Sequence, residues 1–139
     1  MRKKLNRTAG ITLIELLVVM VIIALFATIV GSRVGRSVDR GKKVAAKSQI
    51  SEFESMIDQF KLDVGRYPTA DEGLQALRAK PANVTNWDGP YMKKDLPLDP
   101  WGHPYVYRFP GTHGDFDILS YGGDGQEGGE GDNADITSW

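Results

Sequence analysis

The segment RTAGITLIELLVVMVIIALFATIV, residues 7–30, sets a single acid, Glu15, inside a run of about twenty apolar residues, the length a helix needs to cross a bilayer. A carboxylate at the centre of such a helix costs roughly 2.5–3.5 kcal/mol, so an acid retained there points to a function and to a cationic partner. Arg2, Lys3, Lys4 and Arg7 precede the run. Bases on that side orient a membrane helix with its N-terminus in the cytoplasm and the following chain outside. A conventional secretory signal has its cleavage site beyond a core of 7–15 apolar residues, whereas here the small residues Ala9 and Gly10 stand before a longer run. The segment therefore reads as a leader over 1–10, cut ahead of the helix, and an anchor over 11–33. A cleavable secretory signal and a plain uncleaved anchor are the alternatives.

Outside the anchor, residues 34–139 suffice for one small head with a single core. Setting aside the four leading bases from the 17 Lys and Arg leaves 13 against 18 Asp and Glu, so the head is acidic. Phosphate binding needs clustered bases on the folded part, which argues against nucleic acid as a partner. The absence of cysteine excludes disulfides and thiolate metal sites.

Gly31, Ser32 and Gly35 weaken helix propensity just beyond the apolar run and mark a soft or bent spot without requiring the helix to end. From Ala46 onward, Ile50, Phe53, Ile57, Phe60 and Val64 recur at alternating spacings of three and four, the stripe of a helix packed on its own domain. Gly65 supplies a C′ stop and Pro68 comes soon after. Thr69-Ala70-Asp71-Glu72 fits a capping box opening a short helix through Leu74 and Leu77. Residues 81–110 hold most of the prolines together with Trp87, Tyr91, Trp101, Tyr105 and Tyr107, an ordered loop rather than a linker. Residues 105–109 and 116–120 alternate as two short strands of a small antiparallel sheet. The fold class is α+β, a long N-terminal helix, in part transmembrane, on a small sheet.

No Lys or Arg occurs after Arg108, yet Asp115, Asp117, Asp124, Glu127, Glu130, Asp132 and Asp135 do, interleaved with glycines in SYGGDGQEGGEGDNADI, residues 120–136. Acids at that density repel one another, and glycines carry a high ordering entropy, so either the loop is mobile or something cationic holds it. A solvated acidic loop is one reading. A hard cation is the other, since Ca²⁺ takes carboxylates and backbone carbonyls, and the spacing differs from an EF-hand. His103 and His113 lack cysteine partners and read as satisfied loop histidines rather than zinc ligands. Ser120 has no His and Asp arranged around it, and the glycine-rich tail has no phosphate-loop lysine, so no catalytic residues are expected.

KLNRTAG followed by ITLIELLVVMVIIAL resembles the leader of type IV pilins and pseudopilins. KLDVGRYPTADEGLQAL, GPYMKKDLPLDPWGHPYVY and SYGGDGQEGGEGDNADI further resemble the major pseudopilins of type II secretion systems along essentially the whole chain. The resemblance implies cleavage after Gly10 by the membrane prepilin peptidase, N-methylation of Ile11, and pairing of Glu15 with the Ile11 amine of a neighbouring subunit during assembly. It implies a homopolymeric pseudopilus, built with minor pseudopilins on an inner-membrane assembly platform, that drives folded proteins from the periplasm through an outer-membrane secretin. It also implies one Ca²⁺ held by Asp124, Asp132 and Asp135, with carbonyls near Tyr121 and Gly123. Ile11 stands where most members have Phe, and Ser32 where many have Pro, so a proline kink does not carry over. The rival readings are a type IV pilin for adhesion or motility and a membrane-anchored periplasmic enzyme or calcium-binding module.

Overall fold

A computed structural model describes residues 11–139, the side chains of residues 29–37 and 132 excepted. Its order is helix α1 (Leu13–Val64), a short 3₁₀ helix (Gly73–Leu77), strands β1 (Val106–Arg108) and β2 (Asp117–Ser120), a 3₁₀ turn (Gly131–Asn133) and strand β3 (Ile136–Thr137). The chain divides into two compact units, one ending at Val38 and the other spanning Asp39–Trp139. Gly31 and Gly35 are both helical.

In the first unit the large apolar side chains from Ile11 to Phe26 are exposed, Leu13 by 86% and Ile11 by 75%. Among the described residues no helix is long and apolar enough to cross a membrane, the side chains of the apolar run being described only to Thr28. The leader, residues 1–10, lies outside the described residues.

In the second unit the expected stripe forms the core. Ala46, Ile50, Phe53, Ile57 and Phe60 are wholly buried, joined by Leu74, Leu77, Val84, Met92 and Ile118. Burying each large member contributes about 1.5–3 kcal/mol. Phe53 meets Tyr105 edge-on at 5.2 Å, and Phe60 meets Tyr91 at 5.8 Å. Gly65, at φ 84°, ends α1, and its amide returns to the Lys61 carbonyl at 2.8 Å. A side chain there would be strained, which is why glycine holds the C′ position.

Thr69 and Glu72 form the reciprocal box, Glu72 Oε2 accepting from the Thr69 amide at 2.8 Å and Thr69 Oγ1 from the Glu72 amide at 3.3 Å. The helix it opens is a 3₁₀ helix of five residues. Its carbonyls go elsewhere: Leu77 O accepts from the Tyr91 and Met92 amides, and Ala76 O from the Trp87 indole. The loop thereby claims the acceptors that another helical turn would need, and the Tyr91 hydroxyl fixes it to α1 by donating to Asp63 Oδ2 at 2.8 Å. The 81–110 segment is ordered, as its aromatics imply.

The sheet is antiparallel in the order β1-β2-β3, with Tyr107 opposite Ile118 and Leu119 opposite Thr137. Two strands match the expected ones within their bounds. The third, Ile136–Thr137, is an addition that covers the far edge of the fully buried β2 and brings the acidic loop back onto the head.

Candidate functional site

At the start of α1, Thr12 is the cap. Its Oγ1 accepts from the Glu15 amide at 3.3 Å, and its carbonyl accepts from the Leu16 amide at 3.2 Å. Glu15 thus sits in the first turn of α1, where a carboxylate is favoured by the positive end of the helix dipole. Ile11 directly precedes this cap. Gly10 lies outside the described residues.

The second candidate is the loop from Tyr121 to Asp135, whose entrance is set by a buried polar knot. Asp99 is 4% exposed, and its Oδ1 accepts from the amides of Trp101 at 3.0 Å and His103 at 2.8 Å. Ser120, fully buried, donates its hydroxyl to Asp99 Oδ2 and accepts from the Gly122 amide at 3.2 Å. His103 Nδ1 lies 3.1 Å from the Gly122 carbonyl, which requires the proton on that nitrogen. Gly122 adopts φ 63°, and a Cβ there would stand 2.7 Å from the Ala134 carbonyl, so only glycine lets the two ends of the loop approach so closely.

The cations that hold this acidic loop include three side chains of the protein itself. Arg108 on β1 donates to the Tyr121 hydroxyl at 3.2 Å and to Glu127 Oε1 at 3.0 Å. Lys43 donates to the Gly131 carbonyl at 2.6 Å, and Lys47, one turn later on α1, donates to the Thr137 carbonyl. Arg108 is visible in the sequence as the last base before the acids. The two lysines are visible there only as a pair four residues apart, with nothing to say which carbonyls they meet.

The anticipated ligands are distributed along this loop. Asp124 is exposed, its Oδ1 accepting from the Gln126 amide at 3.1 Å. Asp135 Oδ2 accepts from the Gly128 amide at 2.9 Å, while its Oδ1 is buried and has no hydrogen-bond donor among the described residues. Tyr121 is half-buried beside Arg108, Gly123 is exposed, and Asp132 lies in the 3₁₀ turn. Among the described residues no three His, Asp or Glu side chains gather closely enough to hold a metal ion. A buried carboxylate oxygen without a donor is nonetheless costly, and a hard cation such as Ca²⁺ is the kind of partner that would satisfy it, so Asp135 is a group that fits one.

The remaining candidates are structural. His113 Nδ1 donates to Asp117 Oδ2 at 3.3 Å, and Asp117, 1% exposed, also accepts from the Thr112 amide and hydroxyl. Burial pushes the Asp117 carboxyl up, but these hydrogen bonds outweigh it and hold the group below its ordinary range.

An exposed apolar helix capped at Thr12 with one acid in its first turn, followed by a small α+β head, defines the class of pilin-like subunits. Residues 5–31 match the prokaryotic N-terminal methylation motif, and residues 33–139 match the family described as type II secretion system (T2SS), protein G. The chain belongs to that protein G family. It is 43% identical over 137 residues to the type II secretion system core protein G of Pseudomonas aeruginosa, covering 96% of each chain. To the corresponding protein of Vibrio cholerae it is 42% identical over 140 residues, covering 99% of this chain and 95% of the other. It also resembles the crystal structure of the major pseudopilin from the type 2 secretion system of enterohaemorrhagic Escherichia coli, with a TM-score of 0.65 and 38% identity over 74% of this chain and 90% of that one.

Proposed function

We propose that this chain is the major structural subunit of a type II secretion pseudopilus and not an enzyme. The observation that carries the reading is the N-terminal helix, whose apolar side chains are exposed all round from Ile11 to Phe26. Apolar surface of that extent needs a cover, and lipid supplies it before assembly, neighbouring helices afterwards. The helix then serves twice, as a single inner-membrane anchor over 11–33 with the head in the periplasm, and as the core of a filament that repeats head to tail without closing.

Prepilin peptidase cuts after Gly10, leaving an amine on Ile11 that stays cationic after methylation. Glu15 pairs with that amine on the neighbouring subunit, which neutralises the acid as the helix passes from lipid into the filament. The assembly platform and minor pseudopilins are the other partners, and the growing filament pushes folded proteins through the outer-membrane secretin. In the head, the carboxylates of Asp124, Asp132 and Asp135 with the carbonyls of Tyr121 and Gly123 would hold one Ca²⁺, which would neutralise the loop.

The test is deletion of the gene in its own host. Folded exoproteins should accumulate in the periplasm and be released again on complementation. Normal secretion with loss of surface adhesion or motility would overturn the reading in favour of a type IV pilin.

A further inference from the structure

The loop that ends in β3 lies against α1 at two successive turns. Lys43 and Lys47 each direct an ammonium group to a main-chain carbonyl, Gly131 at the start of the 3₁₀ turn and Thr137 in β3. Along the chain between those two residues comes Asp135, the residue with the orphaned buried oxygen. The segment 131–137 is thus held at both ends by one face of a helix whose next turns, Ala46 and Ile50, are wholly buried in the core. The opposite limb of the loop is held independently, by Arg108 on Glu127 and by His103 on Gly122.

We infer that Lys43 and Lys47 are positioning residues for the cation site, fixing the 131–137 limb so that Asp135 meets a divalent cation without an ordering cost at binding. This rests on the reading of a calcium site in the loop. Preorganisation of this kind raises affinity by removing entropy that binding would otherwise have to overcome. It also has a signature of opposite sign to simple electrostatics. A positive charge beside a cation site repels the cation, so if the lysines were only neighbours, neutralising them would tighten calcium binding. If they position the limb, neutralising them weakens it.

The experiment uses the full-length mature chain in detergent micelles, titrated with calcium chloride in a calorimeter at fixed ionic strength. Wild type is compared with Lys43→Met, Lys47→Met and the double variant, in which the alkyl stem and helix propensity are kept. Calcium binding about tenfold weaker in the double variant is expected, with each single variant between. Lys43→Arg and Lys47→Arg, which keep a donor and the charge, should recover most of the loss. Melting curves in chelator establish that the variants are folded. Unchanged or tighter binding in the folded double variant overturns the positioning role while leaving the cation site standing. A wild-type chain that binds no calcium at millimolar concentration overturns both.

Discussion

The His113 imidazole lies flat on the Trp139 indole, ring centroids 3.8 Å apart and planes within 7°. The same ring faces buried Asp117 through Nδ1, and Ser138 beside the indole exchanges hydrogen bonds with Ile118, donating its amide to Ile118 O and accepting from the Ile118 amide at Oγ. The segment after β3 is therefore fastened to β2 by backbone and by ring together. Trp139→Ala should destabilise the head by about 1 kcal/mol, the usual worth of an aromatic contact. A double-mutant cycle with His113→Ala, monitored by urea unfolding, checks it; strictly additive losses would assign the stack no energy.

Glu72 is held at about pH 2, chiefly by the Arg66 guanidinium, which contacts it through two bonds of 2.7 Å. A folded-state value below the ordinary 4.5 means the contribution is complete above about pH 4.5 and lost as pH falls toward 2. Wild type should exceed Glu72→Gln by about 1 kcal/mol at neutral pH, the figure kept small because the guanidinium is partly exposed. That margin should shrink on acidification through this window, and one that widened instead would contradict the assignment.

Gly10→Val should leave the leader in place, because a β-branched side chain obstructs cleavage at that bond. Intact-mass measurement of the membrane-extracted chain reads this directly. Wild-type protein beginning at a residue other than Ile11 would rule out cleavage at Gly10.

Glu15→Ala should be processed and inserted as wild type yet fail to form filaments, since the change removes a docking charge while making the helix more apolar. The capping hydroxyl of Thr12 accepts from the residue 15 amide and survives the substitution. Filament assembly in sheared cell fractions is the measurement, and normal assembly would exclude Glu15 from subunit docking.

Chelation should lower the melting temperature of the full-length chain in detergent, by an amount corresponding to about 2.7 kcal/mol when calcium had been in hundredfold excess over its dissociation constant. Asp135→Ala should remove that dependence, as should Asp124→Ala. Identical melting in calcium and chelator, at matched ionic strength, would return the loop to a solvated acidic segment.

Periodicity makes α1 legible because Ile50, Phe53, Ile57 and Phe60 must share one face, and burial of that face is what builds the head. The box at Thr69 and Glu72 is equally legible, but its continuation as a 3₁₀ helix is not, because the acceptors of Ala76 and Leu77 are claimed by Trp87, Tyr91 and Met92 across the loop. Strand β3 is invisible for a different reason. Two residues, Ile136 and Thr137, offer no alternation to read, and their strand character comes from register with Leu119 and Ser120. In the acidic loop the charge excess can be counted, whereas the two α1 lysines that relieve it act on carbonyls, which every residue has. The buried pair Asp99 and Ser120 is hidden similarly, being separated by 21 positions.

The bond from Lys43 to the Gly131 carbonyl joins positions 88 apart, and that from Lys47 to Thr137 joins positions 90 apart. Closing so long an interval is a late event in folding, since local contacts form before distant ones repay their loop entropy. A chain made from its N-terminus displays α1 long before residues 131–137 can reach it. The face of Lys43 and Lys47 is consequently covered only once residues 131–137 have been added to the chain, so that the last-made segment is the one that completes the head.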